Sequence, residues 1–476
     1  MAKKTINKEL TGAQDLYNFL FEACNIIRGP VSQDNFKDYI TPLLYYKRIS
    51  DVYDEETEEA LISSGGDKEY ASLPEQHRFV IPDGCHWQEV RERTENFGAA
   101  IVGAMRQIEI ANPDTLYGVL SMFSSQKWTN KAILNDSKIR DLIEHLSKRK
   151  LGNKDYPADL MGDAYEILLK KFADDSKAQA GEFYTPRSVV RLLVHILDPQ
   201  PGETVYDPAC GSGGMLIEAI RYMHDDSLCC GSIFGQEKNV VNAAIAKMNL
   251  FLHGASDFNV MQGDTLRDPK ILQGGNIAKF DCVIANPPFS LENWGATEWS
   301  SDKYKRNIYG TPSDSCGDYA WIQHMICSMV SGQGRMAVVM PQGILFRNQE
   351  TEIRKQLVES DLIEAVVTLG DKLFYGTGLS PCFLIIRRMK PAHHSGRILM
   401  IDGSKILTQK RAQNILEEND IDRLYSLYQN YSDEEDYSRI VTLQEIRDKE
   451  YNLSPNRYVV YHKEEIPVSY THLRAH

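Results

Sequence analysis

Long hydrophobic runs are absent from this chain of 476 residues, and no stretch approaches the roughly 18 uninterrupted apolar residues that a membrane span requires. The first residues, Met-Ala-Lys-Lys-Thr-Ile, have no apolar run behind their charges, so they do not resemble a secretory signal. We therefore expect a cytoplasmic protein that makes no membrane contact. The length predicts two or three domains, each able to bury its own core.

Cysteines at the CxxC spacing of redox and zinc sites are absent as well. The nine cysteines are scattered from Cys24 to Cys382 without a CxxC pair, and the adjacent Cys229 and Cys230 have poor geometry for binding one metal ion. This pattern indicates reduced side chains in the core rather than a disulfide framework or a zinc site. The sequence therefore predicts no metal.

Positive charge is in deficit, since 53 Lys and Arg residues face 66 Asp and Glu residues and the net charge is -13. Phosphate contacts supply most of the affinity of a protein that binds DNA alone. The chain therefore either binds a substrate other than nucleic acid or receives most phosphate contacts from a partner. Two basic segments, Ser147–Lys150 and Lys303–Arg306, could contribute, although each is equally typical of solvated loops and helix ends.

Apolar residues recur at helical spacing in the first third of the chain. The spacing predicts helices over Asp15–Ile27, Phe36–Tyr53 and Pro157–Ala173. The segment Ser63–Gly84 is rich in glycine, proline and charge, which predicts a loop. We expect a helical N-terminal domain over residues 1–155.

From about Val189, apolar strands alternate with helices. This alternation predicts an α/β, doubly wound, Rossmann-like fold, in which helices cover both faces of a parallel sheet. The predicted strands are 204–207, 232–235, 280–285, 335–340 and 363–368, and a further strand, 381–387, is expected at the antiparallel edge.

Beyond about residue 405 the chain becomes charged and helical again. We therefore expect a catalytic domain over 156–405 and a helical C-terminal extension over 406–467. Residues 468–476 neither continue nor cap a periodic pattern and resemble a translated sequencing adapter, so we expect a truncated or artefactual tail.

A glycine-rich turn follows the first predicted strand, in Val205-Tyr-Asp-Pro-Ala-Cys-Gly-Ser-Gly-Gly214, and a helix is expected from Met215 to Met223. Glycines let the backbone approach a nucleoside cofactor at the carboxyl end of a strand. The dinucleotide pattern G-x-G-x-x-G is absent, and Asp207 stands where a pyrophosphate requires helix-terminal amides. An acid there can instead pair with the cationic amino group of S-adenosylmethionine. The predicted cofactor contacts in this segment are Asp207, Pro208, Gly211, Ser212, Gly213 and Gly214.

Two further acids follow predicted strands. Glu237 lies about 26 residues past Gly211, where an acid of a doubly wound fold can bind ribose hydroxyls. Asp264 ends the next strand and could accept from the adenine amino group of the cofactor. A helix-cap glutamate and a turn aspartate are the alternatives to these two assignments.

The most specific signal in the chain is a buried strand that ends abruptly in Asn286-Pro287-Pro288-Phe289. Two prolines stiffen the turn and supply no amide donor. The Asn286 side-chain oxygen and the Pro287 carbonyl are then acceptors for the two hydrogens of an amino group, whose lone pair can face a sulfonium methyl. Phe289 can stack on a base that has been flipped from the duplex. These four residues are the predicted catalytic residues.

Asp-Pro-x-x-Gly-x-Gly-Gly followed by Asn-Pro-Pro-Phe resembles the amino-methylating DNA methyltransferases. The segments 318–325, 340–343 and 376–382 are similar, in this order, to those of modification subunits of type I restriction-modification systems, and the resemblance covers roughly residues 10 to 460. It implies methylation of N6 of adenine in double-stranded DNA, with a specificity subunit, a restriction and translocase subunit and two copies of the chain in the complex. It also implies that the segment before the first strand lies over the cofactor, with contacts from Glu182, Phe183, Tyr184, Thr185, Pro186 and Arg187.

Other interpretations remain open at this point. A cytosine-C5 methyltransferase would use a Pro-Cys nucleophile, which Pro381-Cys382 offers, but Cys382 begins an apolar strand and is expected in the core. Related Asn-Pro-Pro enzymes modify protein glutamine, RNA or N4 of cytosine, and a cofactor-binding assembly scaffold is a rival of another class. The loop Ser290–Gly317, with Trp294, Trp299 and Tyr304, could close over a base or pack in its own domain. It is too short to read a DNA sequence, which favours a separate specificity subunit.

Overall fold

The computed structural model describes residues 2–116, 118–120, 128–175, 185–223, 232–255, 257–374, 380–411 and 413–462. The chain divides into two compact units. The first unit consists of Met1–Thr185 and Pro199–Gly275, and the second of Pro186–Asp198 and Asn276–His476.

The first unit begins with helices that share one hydrophobic core. That core runs from Leu16 to Leu168 and also takes in Met248 and Phe251 from a later helix. The helices are α1 (Ala2–Ile27), α2 (Lys37–Ser63), α3 (Lys68–Ala71), α4 (Trp87–Arg91), α5 (Phe97–Ala111), α6 (Pro113–Leu116), α7 (Asp136–Leu146) and α8 (Ala158–Asp175), with single 3-10 turns at Gln33–Asn35 and Pro74–Gln76. Buried residues at three- and four-residue spacing show how the amphipathic pattern builds this core, as in α7 with Ile139, Leu142, Ile143 and Leu146.

The three predicted N-terminal helices are confirmed, and two of them are longer than the apolar periodicity indicated. Helix α2 continues to Ser63 through a charged stretch, Asp54-Glu-Glu-Thr-Glu-Glu59, where the apolar pattern weakens. The segment predicted as a loop from Ser63 to Gly84 also contains the short helix α3. The Asp67 carboxylate caps it by accepting from two backbone amides of its first turn.

The first unit also contains three parallel strands, β1 (Val205–Asp207), β2 (Ile233–Glu237) and β3 (Phe258–Gln262), adjacent in that order. The helices α10 (Gly214–Met223) and α11 (Val240–Leu252) connect them. In this register Asp207 lies opposite Gly235, and Glu237 lies opposite Gln262. The carboxyl ends of parallel strands meet at one edge, so Asp207 and Glu237, which end β1 and β2, share that edge with Asp264, which lies just beyond β3.

In the described part of the second unit, six strands are neighbours in one sheet, in the order β6-β7-β9-β8-β10-β11. Strands β6 and β7 are parallel, as are β8 and β10, whereas β9 runs antiparallel to both β7 and β8 and β11 antiparallel to β10. Every residue of β7 and β8 is buried, as expected for central strands covered on both faces. The strands are β6 (Cys282–Ala285), β7 (Arg335–Pro341), β8 (Ile363–Leu369), β9 (Pro381–Arg387), β10 (Arg397–Gly403) and β11 (Ser438–Thr442).

Helices α9 (Arg187–Leu197), α12 (Ala296–Trp299), α13 (Asp318–Ser328), α14 (Thr351–Glu359), α15 (Glu418–Asn430) and α16 (Leu443–Asp448) complete the second unit. It also has 3-10 turns at Gln342–Leu345, Asn348–Glu350, Ala392–His394 and Pro455–Arg457. Two more short strands, β4 (Leu272–Gln273) and β5 (Asn276–Ile277), stand where the first unit ends and the second resumes.

The α/β fold and the five predicted parallel strands are confirmed, while the placement of the sixth strand is wrong. Strand β9 is antiparallel as expected, but it lies inside the sheet between β7 and β8 rather than at its edge. Its apolar residues, Cys-Phe-Leu-Ile-Ile, are buried, whereas the edge position is occupied by the more polar β11. The region beyond residue 405 contains α15 and α16, as predicted, and also β11, which the sequence did not indicate.

Candidate active site

The glycine turn lies between β1 and α10 in the first unit. Asp207, the last residue of β1, is 2% exposed, and its Oδ1 accepts a hydrogen bond of 2.9 Å from the Ala209 amide. Gly211 and Gly213 have φ angles of 53° and 85°, which favour glycine. A Cβ at Gly211 would meet no atom within 4 Å, so the turn borders open space at this residue.

A second acid contacts the same turn. Glu237 Oε2 accepts from the Gly211 amide at 3.0 Å, and its Oε1 accepts from the Asn239 amide at 2.7 Å. Glu237 therefore binds two loop amides and does not cap the following helix, whose cap residue is Asn239. These two interactions also bring Glu237 to the glycine turn, as the cofactor assignment requires.

The two acids can make the turn negatively charged, although burial favours their neutral forms while no cation is bound. Burial raises the pKa of Asp207 to about 8, the Ala209 amide opposes this shift, and the charge of Glu237 adds to it. Burial likewise raises the pKa of Glu237, against the lowering effect of nearby backbone amides. A pyrophosphate would be repelled here, whereas a cation would stabilise both carboxylates. The turn therefore suits a cationic ligand.

Asp264 lies just beyond β3 and forms a turn of its own. Its Oδ1 accepts from the amides of Leu266 and Arg267, both at 3.2 Å, and its Oδ2 lies 2.8 Å from Lys238 Nζ. This is the turn aspartate that the sequence had left open as an alternative. The side chain remains partly exposed, and the ion pair with exposed Lys238 is of the weak, screened kind.

Two residues that sequence reasoning missed hold the glycine turn in place. Asn249, 1% exposed on α11, donates from Nδ2 to the Ser212 carbonyl at 3.0 Å, and Thr265 Oγ1 donates to the Pro208 carbonyl at 2.6 Å. Asn249 stands between the apolar residues Met248 and Leu250 of α11, and an amide in such a place is a signal that could have indicated a buried polar contact.

The segment expected to lie over the cofactor is only partly described. Glu182, Phe183 and Tyr184 lie outside the described residues. Thr185 and Pro186 are half-buried, Arg187 is exposed, and Pro186 is the N-cap residue of α9. Of the segment 376–382, only the last residues, from Ser380, are described.

The Asn-Pro-Pro-Phe turn directly follows β6 in the second unit. Asn286 is half-buried with a buried Oδ1, Pro287 is buried and Pro288 is exposed. Phe289 is half-buried, and its ring centroid lies 6.4 Å from that of Phe374. The polypeptide then turns sharply at Ser290, whose φ is 50°.

The long loop after this turn packs in its own unit. Trp294 and Trp299 are each 2% exposed, and Trp294 Nε1 donates to the Ser313 carbonyl at 2.8 Å. Arg306 is buried over the Trp299 ring and pairs with Asp302 at 2.8 Å. Of the basic segment 303–306 only the two lysines are exposed, so two cations rather than three can face a ligand.

Neither Cys382 nor Cys210 is suited to act as a nucleophile. Cys382 is fully buried in β9, and burial raises the pKa of its thiol, so it is not an activated nucleophile. Cys210 is also buried within the glycine turn, with a raised pKa.

Among the described residues, no group of three or more His, Cys, Asp or Glu side chains could hold a metal ion. No helix in the described ranges is long and apolar enough to cross a membrane.

Comparison with known proteins connects these features to one family. Residues 156–466 match the model of the N-6 DNA methylase family, and residues 16–146 match the HsdM N-terminal domain. The MjaVII type I restriction enzyme methylase subunit of Methanocaldococcus jannaschii is 35% identical over 448 residues, which cover 89% of this chain and 75% of the relative. The MjaVIII methylase subunit of the same organism is 32% identical over 482 residues, with coverages of 95% and 79%.

A solved structure is similar over nearly the whole chain. The type I restriction-modification methyltransferase subunit from Streptococcus thermophilus superposes with a TM-score of 0.81 at 26% identity, covering 94% of this chain and 100% of that one. The chain therefore belongs to the N-6 DNA methylase family, as a modification subunit of the type I restriction-modification class and an adenine-specific DNA methyltransferase.

Proposed function

We propose that this chain transfers a methyl group from S-adenosylmethionine to the exocyclic N6 of a flipped adenine in DNA. The observation that carries the proposal is the pair of acids, Asp207 and Glu237, on a glycine turn that borders open space. S-adenosylmethionine supplies an electrophilic methyl group on a sulfonium and carries a second cation on its methionine part. The two carboxyls of the turn, which a bound cation keeps ionised, match that double positive charge.

Three acids divide the recognition of the cofactor between them in this proposal. Asp207 pairs with the methionine ammonium, Glu237 accepts from the ribose hydroxyls, and Asp264 accepts from the adenine amino group. Each carboxylate has about four acceptor sites, so Glu237 and Asp264 can accept these bonds in addition to their present contacts. The remaining proposed contacts come from Pro208, Gly211, Ser212, Gly213 and Gly214, and from Glu182, Phe183, Tyr184, Thr185, Pro186 and Arg187.

The Asn286–Phe289 turn positions the target base. Asn286 Oδ1 and the Pro287 carbonyl accept the two amino hydrogens of adenine and leave its nitrogen lone pair free to attack the methyl group. Pro287 and Pro288 offer no amide that would compete for those acceptors, and Phe289 stacks on the extruded base. Orientation of this kind accelerates a reaction without an acid, a base or a covalent intermediate.

We further propose that sequence reading belongs to a partner. The net charge of -13 opposes the binding of DNA phosphates, and the basic segment of the loop after Phe289 exposes only two lysines. A specificity subunit would supply the base contacts, and a restriction and translocase subunit would join the same complex, with two copies of this chain. Because DNA is the proposed substrate, we propose that the complex works in the cytoplasm.

The experiment that tests the proposal uses Asn286→Ala with Asn456→Ala, an exposed residue of the same unit, as the matched control. Asn286→Ala should bind S-adenosylmethionine as the wild type does and lose methyl transfer, because only the acceptor for the target amine is removed. Asn456→Ala should keep both properties. Retained transfer by Asn286→Ala contradicts the assignment, and label found in RNA or protein glutamine rather than DNA contradicts the substrate.

A further inference from the structure

The backbone that follows the Asn286–Phe289 turn is fixed by a buried carboxylate from another element. The Ser290 amide donates to Asp318 Oδ1 at 2.7 Å. Ser290 has a φ of 50°, in the left-handed region that a residue with a side chain rarely adopts. Such a conformation costs free energy and persists only where surrounding contacts impose it. The hydrogen bond that the Ser290 amide donates to Asp318 is a contact of this kind, and it acts one residue after Phe289.

Asp318 is itself held from a third element. It is the first residue of α13, a position where the helix dipole favours a negative charge, and its side chain is fully buried. Its Oδ2 pairs with the Arg347 guanidinium, and Arg347 Nε lies 3.0 Å from Glu350 Oε2. Arg347 Nη1 also lies 3.5 Å from Ser290 Oγ. A continuous set of polar contacts thus runs from Glu350 through Arg347 and Asp318 to the turn.

The charges of this cluster decide between two roles for Arg347. A cation beside the turn could bind a DNA phosphate, but Arg347 is flanked by Asp318 and by Glu350, which is 2% exposed. Even though burial raises the pKa of Glu350 against the effect of Arg347, the cluster has at most zero net charge. A phosphate gains little from a cation whose charge is already matched. The geometry therefore favours an internal role over a contact with DNA.

We propose that Asp318 is a positioning residue that holds the Asn286–Phe289 turn in the orientation needed for base attack, and that Arg347 holds Asp318 in place. This inference rests on the proposed function of that turn. Asp318 touches neither the cofactor nor the base in this proposal, and it acts through the Ser290 backbone. The proposal connects the segments 318–325 and 340–343 with the Asn286–Phe289 turn. The first segment begins with Asp318, and Arg347 lies four residues after the end of the second.

The test compares Asp318→Asn with Glu364→Gln in the full-length chain assembled with its specificity subunit. An asparagine replaces one carboxylate oxygen with an NH2 donor, so either the Ser290 amide or the Arg347 guanidinium would face a donor instead of an acceptor. Glu364 is the matched control, because it is also a buried carboxylate paired with an arginine, Arg387, but lies at the amino end of β8. The readouts are kcat and KM for DNA, the Kd for S-adenosylmethionine, the melting temperature, and the fluorescence of 2-aminopurine at the target position.

Asp318→Asn should lower kcat by about 100-fold, as expected for a misplaced reacting group, with an unchanged Kd for S-adenosylmethionine and a reduced 2-aminopurine signal. Glu364→Gln should lower the melting temperature and leave kcat unchanged. Wild-type kcat in Asp318→Asn, or an equal loss of kcat in Glu364→Gln, overturns the inference. A wild-type complex that does not methylate adenine overturns the proposed function as well, which distinguishes the two failures.

A second variant keeps the inference testable if Asp318→Asn does not fold. Arg347→Gln can still donate one hydrogen bond to Asp318 but carries no charge, and the side chain it replaces is 27% exposed. Because one charge-assisted bond is weakened, kcat should fall by about tenfold with an unchanged Kd for S-adenosylmethionine. Full activity in Arg347→Gln overturns the inference.

Discussion

Cofactor binding should depend on pH through Asp207. Its carboxyl has a pKa of about 8 in the free protein, mainly because burial disfavours the charged form. Pairing with the methionine ammonium requires the ionised carboxylate, so the bound cation must lower that pKa and binding must release a proton. At pH 6 about one molecule in a hundred has Asp207 ionised, and at pH 7 about one in ten.

The expected change in affinity with pH follows from these ionised fractions of Asp207. Affinity for S-adenosylmethionine should rise about tenfold from pH 6 to pH 7 and level off near pH 8, where the amino group of the cofactor begins to lose its own proton. Isothermal titration calorimetry in buffers of different ionisation enthalpy should detect the release of just under one proton at pH 7. Asp207→Asn should bind weakly and show no such rise, whereas Asp257→Asn, an exposed acid of the same unit, should behave as the wild type.

An affinity that is constant from pH 6 to pH 7 in the wild type would refute the reasoning. The same conclusion would follow if Asp207→Asn kept wild-type affinity, because the carboxylate would then not bind the ammonium. A rise that persists in Asp207→Asn would assign the titration to another group.

Three further predictions concern the fold, the chemistry and the partner. Gly98→Ala should destabilise the protein by about 1–3 kcal/mol or more in urea unfolding, because its Cβ would lie 2.0 Å from the Trp128 carbonyl oxygen. Gly103→Ala on the same helix meets nothing within 4 Å and should stabilise by about 0.5–1 kcal/mol. Cys382→Ala should keep methyl transfer in the labelled-cofactor assay, whereas a loss of transfer with intact folding would favour a cysteine nucleophile. The chain without its specificity subunit should bind duplex DNA at only about 10⁻⁴ to 10⁻⁶ M in gel-shift titrations at physiological salt, and tight site-specific binding would contradict the division of labour.

Much of the fold could be predicted from the sequence because its signals are local. Strands β7 and β8 are short segments rich in apolar residues, and α1 and α2 show helical periodicity, so the type of each element can be recognised from its own residues. The place of β9 could not be predicted in the same way. An apolar strand has the same sequence whether it lies at an edge or inside a sheet, and only the pairing with β7 and β8 distinguishes these positions.

In the candidate site, too, only the residues with a local sequence signal could be predicted. Asp207 and Asn286 could be identified because each stands in a short, distinctive run of residues. The contacts of Asn249, Thr265 and Asp318 could not, because each side chain acts on a backbone group that lies far away along the chain, such as the Ser212 carbonyl for Asn249 and the Ser290 amide for Asp318. Contacts of this kind depend on tertiary packing, which residue spacing does not reveal.

Methyl transfer with labelled S-adenosylmethionine, followed by digestion of the DNA and separation of the nucleosides, tests the central claim most directly. The complex of the chain with its specificity subunit should place the label in N6-methyladenine, and Asn286→Ala in the same complex should place none while still binding the cofactor. Label in N4-methylcytosine, RNA or protein glutamine, or undiminished transfer by Asn286→Ala, would contradict the account.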